Sequence, residues 1–474
     1  MKDKILNKKK SFSLWEFIIE SNFITVFIVH VLLGWIGLFT KYVYIIWFYA
    51  LIISFISSSS LSKKKIIPYF LAYIIPAELF GRILWCTPFI PYEMAKYFGF
   101  LLLIYAISIN NSKSRGSIGL LLLSLLLPGI LLAVATSNRL WGDLAFNVLG
   151  GINLCLAVFY FSNIQFTKQE VANIFRVIII SALPILAYSI IRAPSIESYE
   201  FKLGANSALT GGFGSNQVSS ILGLAFGMGI WLWLMQVKLS KKWYFNLGIP
   251  ALFFGWALLS FSRGGVLTPI AGLLLIIFLV KKGENKFQVR KVRTSFLLTG
   301  FIFLPLIFYT LNEITDNQLI LRYQGETAGT LKGVKEKDVG QLTSGRSEIL
   351  LNDIEIWMDN FVFGVGVGQS KDLRLEYGHP NIAAHVEVSR LLSEHGLLGL
   401  IFSIIFLFKP IFVITNQKSS FSKSLVIMCF TIAILTSMHS AMRTLITPFF
   451  YGLAFIRINE KEEEENSIHR EQVN

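Results

Sequence analysis

The feature that most constrains this chain is a succession of uncharged apolar runs, near 21–39, 42–59, 66–86, 94–110, 117–136, 142–162, 171–191, 216–236, 244–261, 264–281, 294–312, 391–408, 424–440 and 444–457. A helix needs roughly 20 apolar residues to cross a bilayer, and inside lipid only helices or closed barrels satisfy the backbone. The runs are continuously apolar rather than alternating, which predicts an all-α polytopic membrane protein of about 14 (12–14) transmembrane helices. The formal charge of +14 does not point to nucleic acid, because the basic residues sit in short clusters between the runs. With the N-terminus inside, Lys8 to Lys10, Lys63 to Lys65, Lys113 with Arg115, Lys238 to Lys242, Lys281 to Arg293 and Lys418 with Lys423 all fall on one side, as the positive-inside bias requires. The start "MKDKILNKKK" has the charge of a signal peptide but no small-residue cleavage site after it, so it reads as retained.

This register divides the chain into N-terminal membrane helices (1–205), central membrane helices with an outer turn at Arg263 (206–312), one large, partly helical outer loop (313–390), C-terminal membrane helices (391–457) and an acidic inner tail (458–474). A 78-residue connection is too long to be a plain linker and marks the side on which function is expected. Cys86, Cys155 and Cys429 lie inside apolar stretches at unrelated spacings and read as packing residues.

Arg82, Arg139, Arg192, Arg263, Arg390 and Arg443 lie near the outer surface, against the charge bias. Each could snorkel to lipid phosphates, and Glu78 is placed to pair with Arg82. As a set they suit a phosphate-bearing ligand, since the guanidinium fork grips phosphate oxygens bidentately. Arg263 opens a helix within Ser262-Arg263-Gly264-Gly265, and Arg346 opens another within "LTSGRSEILLNDIEIWMDNF", capped by Ser344 or Gly345 and striped by Leu350, Ile354, Trp357 and Phe361. A cation at a helix N-terminus is disfavoured unless compensated. A phosphate between the two arginines would compensate both, and so would a salt bridge from Arg346 to Glu348 or Asp353. Asn216, after "TGGFG", could hold a sugar hydroxyl or a phosphate, or cap its helix; Arg192 is a further phosphate contact.

Gly364, Gly366 and Gly368 alternate without the Gly-Lys-Ser/Thr ending of a phosphate-binding loop, so they read as a tight loop or strand. His379, His385 and His395 are half the histidines of the chain, at spacings that fit no common metal site. A neutral imidazole beside a phosphate site would serve as a general base. Residues 383–395 read as a helix with His385, Ser389 and Leu392 on one face and Glu387, Arg390 and Glu394 as a charged ladder.

Taken in order, Ser262-Arg263-Gly264-Gly265, Ser344-Gly345-Arg346, Trp357, the glycine alternation, His385 and Glu394-x-Gly396-x-x-Gly399 resemble the O-antigen ligase and O-antigen polymerase superfamily, over residues 206 to 400. The resemblance implies a multi-pass glycosyltransferase of the bacterial inner membrane, active at its periplasmic face without metal or other cofactor. Its donor would be an undecaprenyl-diphosphate-linked glycan and its acceptor another glycan or the lipid A core. It also implies catalytic roles for Arg263, Arg346 and His385. The family histidine is usually followed by Asn or Ser, here by Val386; His385 has the right distance to Gly396, and His379 stands as the alternative base or a substrate contact. Ligase and polymerase differ in acceptor, and a lipid-linked glycan flippase is a more distant alternative whose polar groups should lie at the membrane midplane.

Overall fold

The computed structural model describes residues 13–110, 116–136, 141–195, 199–204, 206–280, 302–334, 345–379, 381 and 386–459. It is helical almost throughout, as continuously apolar runs require. The first half comprises α1 Leu14–Glu20, α2 Phe23–Ile36, α3 Tyr42–Ser57, α4 Ser60–Ile83, α5 Met94–Ile109, α6 Ser117–Thr136, α7 Trp141–Ser162 and α8 Lys168–Arg192. Then follow α9 Ser215–Leu234, α10 Trp243–Leu259, α11 Arg263–Leu279 and α12 Leu304–Ile314. Three short loop helices come next, α13 Gln318–Tyr323, α14 Ala328–Leu331 and α15 Arg346–Asp359, with α16 Ser370–Glu376 after them. The chain closes with α17 Glu387–Thr415, α18 Ser420–Ser440 and α19 Ile446–Leu453. A two-residue parallel ladder, Gln165–Phe166 with Arg457–Ile458, ties the end of α7 to the end of α19.

Among the described residues seven helices are long and apolar enough to cross a membrane: α4, α6, α7, α8, α9, α17 and α18. The helix α2, which carries the first apolar run, is preceded by α1 at a bend of 118°; counted as one broken span the two make eight. The helices α3, α5, α10 and α11 are apolar but only 16 or 17 residues long. The sequence expectation of about fourteen spans therefore exceeds what helix length supports. Of the expected run at 294–312, residues 294–301 lie outside the described residues, and the last run is cut to the eight residues of α19.

The centre of the bundle is α8 and α9, which pack on each other while α8 also takes α2 and α4 and α9 takes α10 and α11. Both are buried nearly all round, as their unbroken apolar sequences demand. Helix association in lipid depends on close packing through small residues, and α9 against α11 shows it: a Cβ on Gly223 would stand 1.9 Å from the Gly265 carbonyl oxygen. Cys86, Cys155 and Cys429 are buried free thiols, in keeping with a packing role.

Candidate active site

The tight α9/α11 crossing positions the first element of the site. Ser219 on α9 donates its hydroxyl to the Ser262 carbonyl at 3.0 Å, and the Ser262 hydroxyl donates to the Asn216 side-chain oxygen. Ser262 occupies the N-cap position of α11 but its side chain does not cap that helix. Asn216 does not cap α9 either, since Gly214 holds that position. It braces the turn from which Arg263 starts.

Around that turn the structure assembles three arginines, one of which sequence reasoning missed. Arg322 donates from Nε to the carbonyl of Phe261 at 3.2 Å, so α13 is hooked directly onto the residue pair preceding Arg263. The placement of α13 is locked locally: Asn312 Oδ1 accepts from the Ile320 amide at 2.9 Å, and its Nδ2 donates to Asn317 Oδ1 at 2.6 Å. Burial, then the nearby Arg263 and Arg346 guanidiniums, hold Arg322 below the usual arginine range. Arg346 is likewise lowered by burial and by Arg263. Arg263, Arg322 and Arg346 thus come from three separate helix segments into mutual electrostatic range, an arrangement that costs energy unless an anion sits among them. Beside them the Tyr323 hydroxyl is buried and has no hydrogen-bond partner among the described residues. Burial raises its pKa, which Arg263 and Arg322 partly offset, so it stays a neutral O–H donor. Arg322 could have been suspected from sequence by the same signal as the others, an arginine on the loop side of the bundle, but its six-residue helix carries no clear periodicity.

Arg346 does open α15, after Gly345 at φ 78°. Two expectations for this helix are corrected. Its buried face is Ile349, Asp353 and Ile356, not the stripe Leu350, Ile354, Trp357 and Phe361. Those four stay half-buried or exposed, with Trp357 and Phe361 stacked on each other at 5.2 Å, because the residue that α15 turns inward is a carboxylate. Asp353 is not the partner of Arg346: both its oxygens are engaged, Oδ1 by Arg374 and Oδ2 by the Ser389 hydroxyl at 2.7 Å, and Asp353 and Arg374 are wholly buried. This triad clamps α15 and α16 to the start of α17.

The glycine alternation is the other half of a broken helix. Gly396 leaves the helical conformation (φ 60°, ψ −135°) inside α17, which strips Ser393 and Glu394 of their helical acceptor role. The loop repairs it: the amides of Val365 and Gly366 donate to the carbonyls of Ser393 and Glu394 at 2.9 and 3.0 Å, and the Leu397 amide donates to the Val362 carbonyl at 3.1 Å. A Cβ on Gly364 would lie 2.5 Å from the Glu394 backbone, so only glycine permits the approach. The segment is a tight loop, and its motif and Glu394-x-Gly396 form one joint.

The remaining outer candidates divide plainly. Arg390 is clamped between Glu387 and Glu394, the ladder expected from sequence, and Glu78 pairs with Arg82 at 2.6 Å. Arg82 also reaches Gln217 at 3.1 Å, next to Asn216. Arg192 is engaged within its own helix by the Tyr188 hydroxyl. His379 Nε2 lies 2.9 Å from Glu355 Oε2. His385, Ser344 and Arg139 lie outside the described residues, as do 383 and 384 of the expected 383–395 helix. Among the described residues no three His, Cys, Asp or Glu side chains are grouped to hold a metal ion.

Comparison with known proteins agrees on the region. A family model described as O-Antigen ligase matches residues 249–404. No curated protein and no solved structure gives a significant match. Arg263, Arg322, Arg346 and the glycine joint all fall within the matched segment, and over that segment the chain is similar to the O-antigen ligase family.

Proposed function

We propose that the chain is a membrane glycosyltransferase of the O-antigen ligase type, which moves a glycan from undecaprenyl diphosphate to an acceptor sugar at the periplasmic face of the bacterial inner membrane. The observation that carries this reading is the convergence of Arg263, Arg322 and Arg346 beside the buried Tyr323 hydroxyl, which has no hydrogen-bond partner among the described residues. Three guanidiniums and an O–H donor fit a diphosphate: the planar forks bind its oxygens bidentately, and the neutral phenol adds one more donor.

The chemistry follows. The bond from the anomeric carbon to the phosphate oxygen breaks and its electron pair leaves with the diphosphate. The arginines are already aimed at the charge that develops there, so their stabilisation grows toward the transition state. The acceptor hydroxyl oxygen forms the new bond to the anomeric carbon from the opposite face, with inversion, and gives its proton to His385, the base that the family resemblance assigns. Asn216 and Ser262 hold the Arg263 turn in place. A polymerase performs the same steps on a different acceptor, a second lipid-linked repeat in place of lipid A core.

The test is transfer by the purified chain in liposomes holding the lipid-linked glycan. Arg346→Ala is expected to lower the rate by about 10²–10³-fold, the usual loss when one oxyanion donor is removed. Arg346→Lys should restore little, because a point charge cannot reproduce the fork. Tyr323→Phe should slow transfer without loss of folding. Normal transfer by folded Arg346→Ala would sink the phosphate site. Product analysis separates the two acceptors: glycan joined to lipid A core means ligase, lengthened lipid-linked chains mean polymerase.

A further inference from the structure

A second concavity has a different character from this site. It encloses about 460 Å³ at the loop-bearing ends of α5, α7 and α17, against α16 and the turn at Met442 and Arg443. Ligand sites occupy roughly 300–1,000 Å³, so it has room for a short oligosaccharide. None of Arg263, Arg322, Arg346 or Tyr323 lines it. The two regions are nevertheless joined through the fold. Gly264, next to Arg263, packs against His439, and α18 leads from there into Met442, whose amide donates to Glu387 in the cavity wall at 2.8 Å.

The charge of its wall decides what it suits. The lining holds four basic side chains and four carboxylates, so the formal charges cancel. Several are already paired: Arg390 bridges Glu387 and Glu394, and Lys96 meets Glu93 at 2.8 Å behind the wall. A diphosphate or other anion here would be held against carboxylates and would lose solvation without a net counter-charge. An uncharged polyhydroxylated ligand meets no such cost, because its hydroxyls both donate to carboxylate oxygens and accept from ammonium and guanidinium N–H groups. The arginine cluster, by contrast, gathers like charges.

We propose that this charge-balanced cavity between α5, α7, α16 and α17 is a binding site for an uncharged oligosaccharide, the glycan that receives the transferred chain. The proposal rests on the glycosyltransferase reading for its role in turnover, but binding can be measured without turnover. Asn147 on α7 and Lys371 on α16 line it from two different helices and neither belongs to the arginine site.

The experiment uses the purified full chain, saturation-transfer NMR and two probes: undecaprenyl diphosphate without sugar, and neutral oligosaccharides set against uronate-containing counterparts of equal length. Neutral oligosaccharides should bind at least about tenfold more tightly than the uronates. Asn147→Trp and Lys371→Trp, which fill the cavity from separate helices, should each weaken neutral oligosaccharide binding by about tenfold or more and leave undecaprenyl diphosphate binding unchanged. Gel filtration reports folding, and either folded variant suffices. Unchanged oligosaccharide binding in a folded, filled variant, preference for uronates, or no neutral binding to the unmodified chain would each overturn the proposal. Arg346→Ala tests the other reading separately: if it keeps undecaprenyl diphosphate binding while the filled variants lose oligosaccharide, the arginine site fails and the cavity stands.

Discussion

Replacing Gly265 with alanine should disable the site without touching any residue that would meet substrate. The added Cβ would lie 2.4 Å from the Ser219 backbone carbon and hydroxyl oxygen, whereas ordinary contact begins at 3.4 Å, so α9 and α11 must part by 3.4 − 2.4, about 1 Å. The Ser219 bond to the Ser262 carbonyl, now 3.0 Å, would stretch to about 4 Å and cease to be a hydrogen bond. The Ser262 bond to Asn216 spans the same crossing and would go with it. Arg263 begins at that turn, so it would shift by a similar amount relative to Arg322 and Arg346, which belong to other segments. A misplacement of about 1 Å in a positioning contact can cost about 10²-fold in rate, equivalent to about 2.7 kcal/mol of transition-state stabilisation. Overpacking adds about 1–3 kcal/mol of destabilisation. The assay is glycan transfer in liposomes, normalised to folded protein, with thermal unfolding alongside. Gly248→Ala is the control, since nothing lies within 4 Å of its added Cβ. If folded Gly265→Ala transfers as fast as the control, the placement of Arg263 does not depend on the α9/α11 crossing.

Two further outcomes follow from the same geometry. Asp353→Ala removes the carboxylate that the wholly buried Arg374 meets and should destabilise the clamp on α17 by about 3–5 kcal/mol, read as a lower melting temperature and faster proteolysis within 345–379; Asp353→Leu with Arg374→Met should recover much of it, and an unchanged Asp353→Ala melting curve would refute the clamp. On the proposed mechanism, in which arginines supply the charge neutralisation that elsewhere falls to a divalent ion, chelator should leave transfer unchanged, and activity that vanishes with chelator and returns with magnesium would contradict that division of labour.

Much of the frame was legible from local information. Apolar runs marked α2 to α11, α17 and α18 because a membrane helix is specified by composition over one contiguous stretch, independent of its neighbours. Arg263 and Arg346 were legible because a cation at a helix start is locally unfavourable, and Glu78 with Arg82 and Glu387 with Arg390 and Glu394 because one helical turn separates them. The inward face of α15 was misjudged for the opposite reason: it buries Asp353, and that burial is made tolerable by Arg374 and Ser389, 21 and 36 residues later in the chain. The count of about fourteen spans is not matched by helix length among the described residues, because hydropathy registers an apolar run whether or not its helix is long enough to cross, as in α3, α5, α10 and α11.

By itself the sequence determined that the chain is a helical membrane protein, since that property is a sum over short windows. Only the tertiary structure decided that Arg322 and Tyr323 join Arg263 and Arg346, and that the glycine alternation splices the break at Gly396. It also decided that Asn216 braces a turn, and that a balanced set of charges encloses a cavity between α5, α7, α16 and α17. Each of these depends on contacts between segments tens to hundreds of residues apart, set by which helix backbones can approach closely enough, and no window of sequence contains both partners.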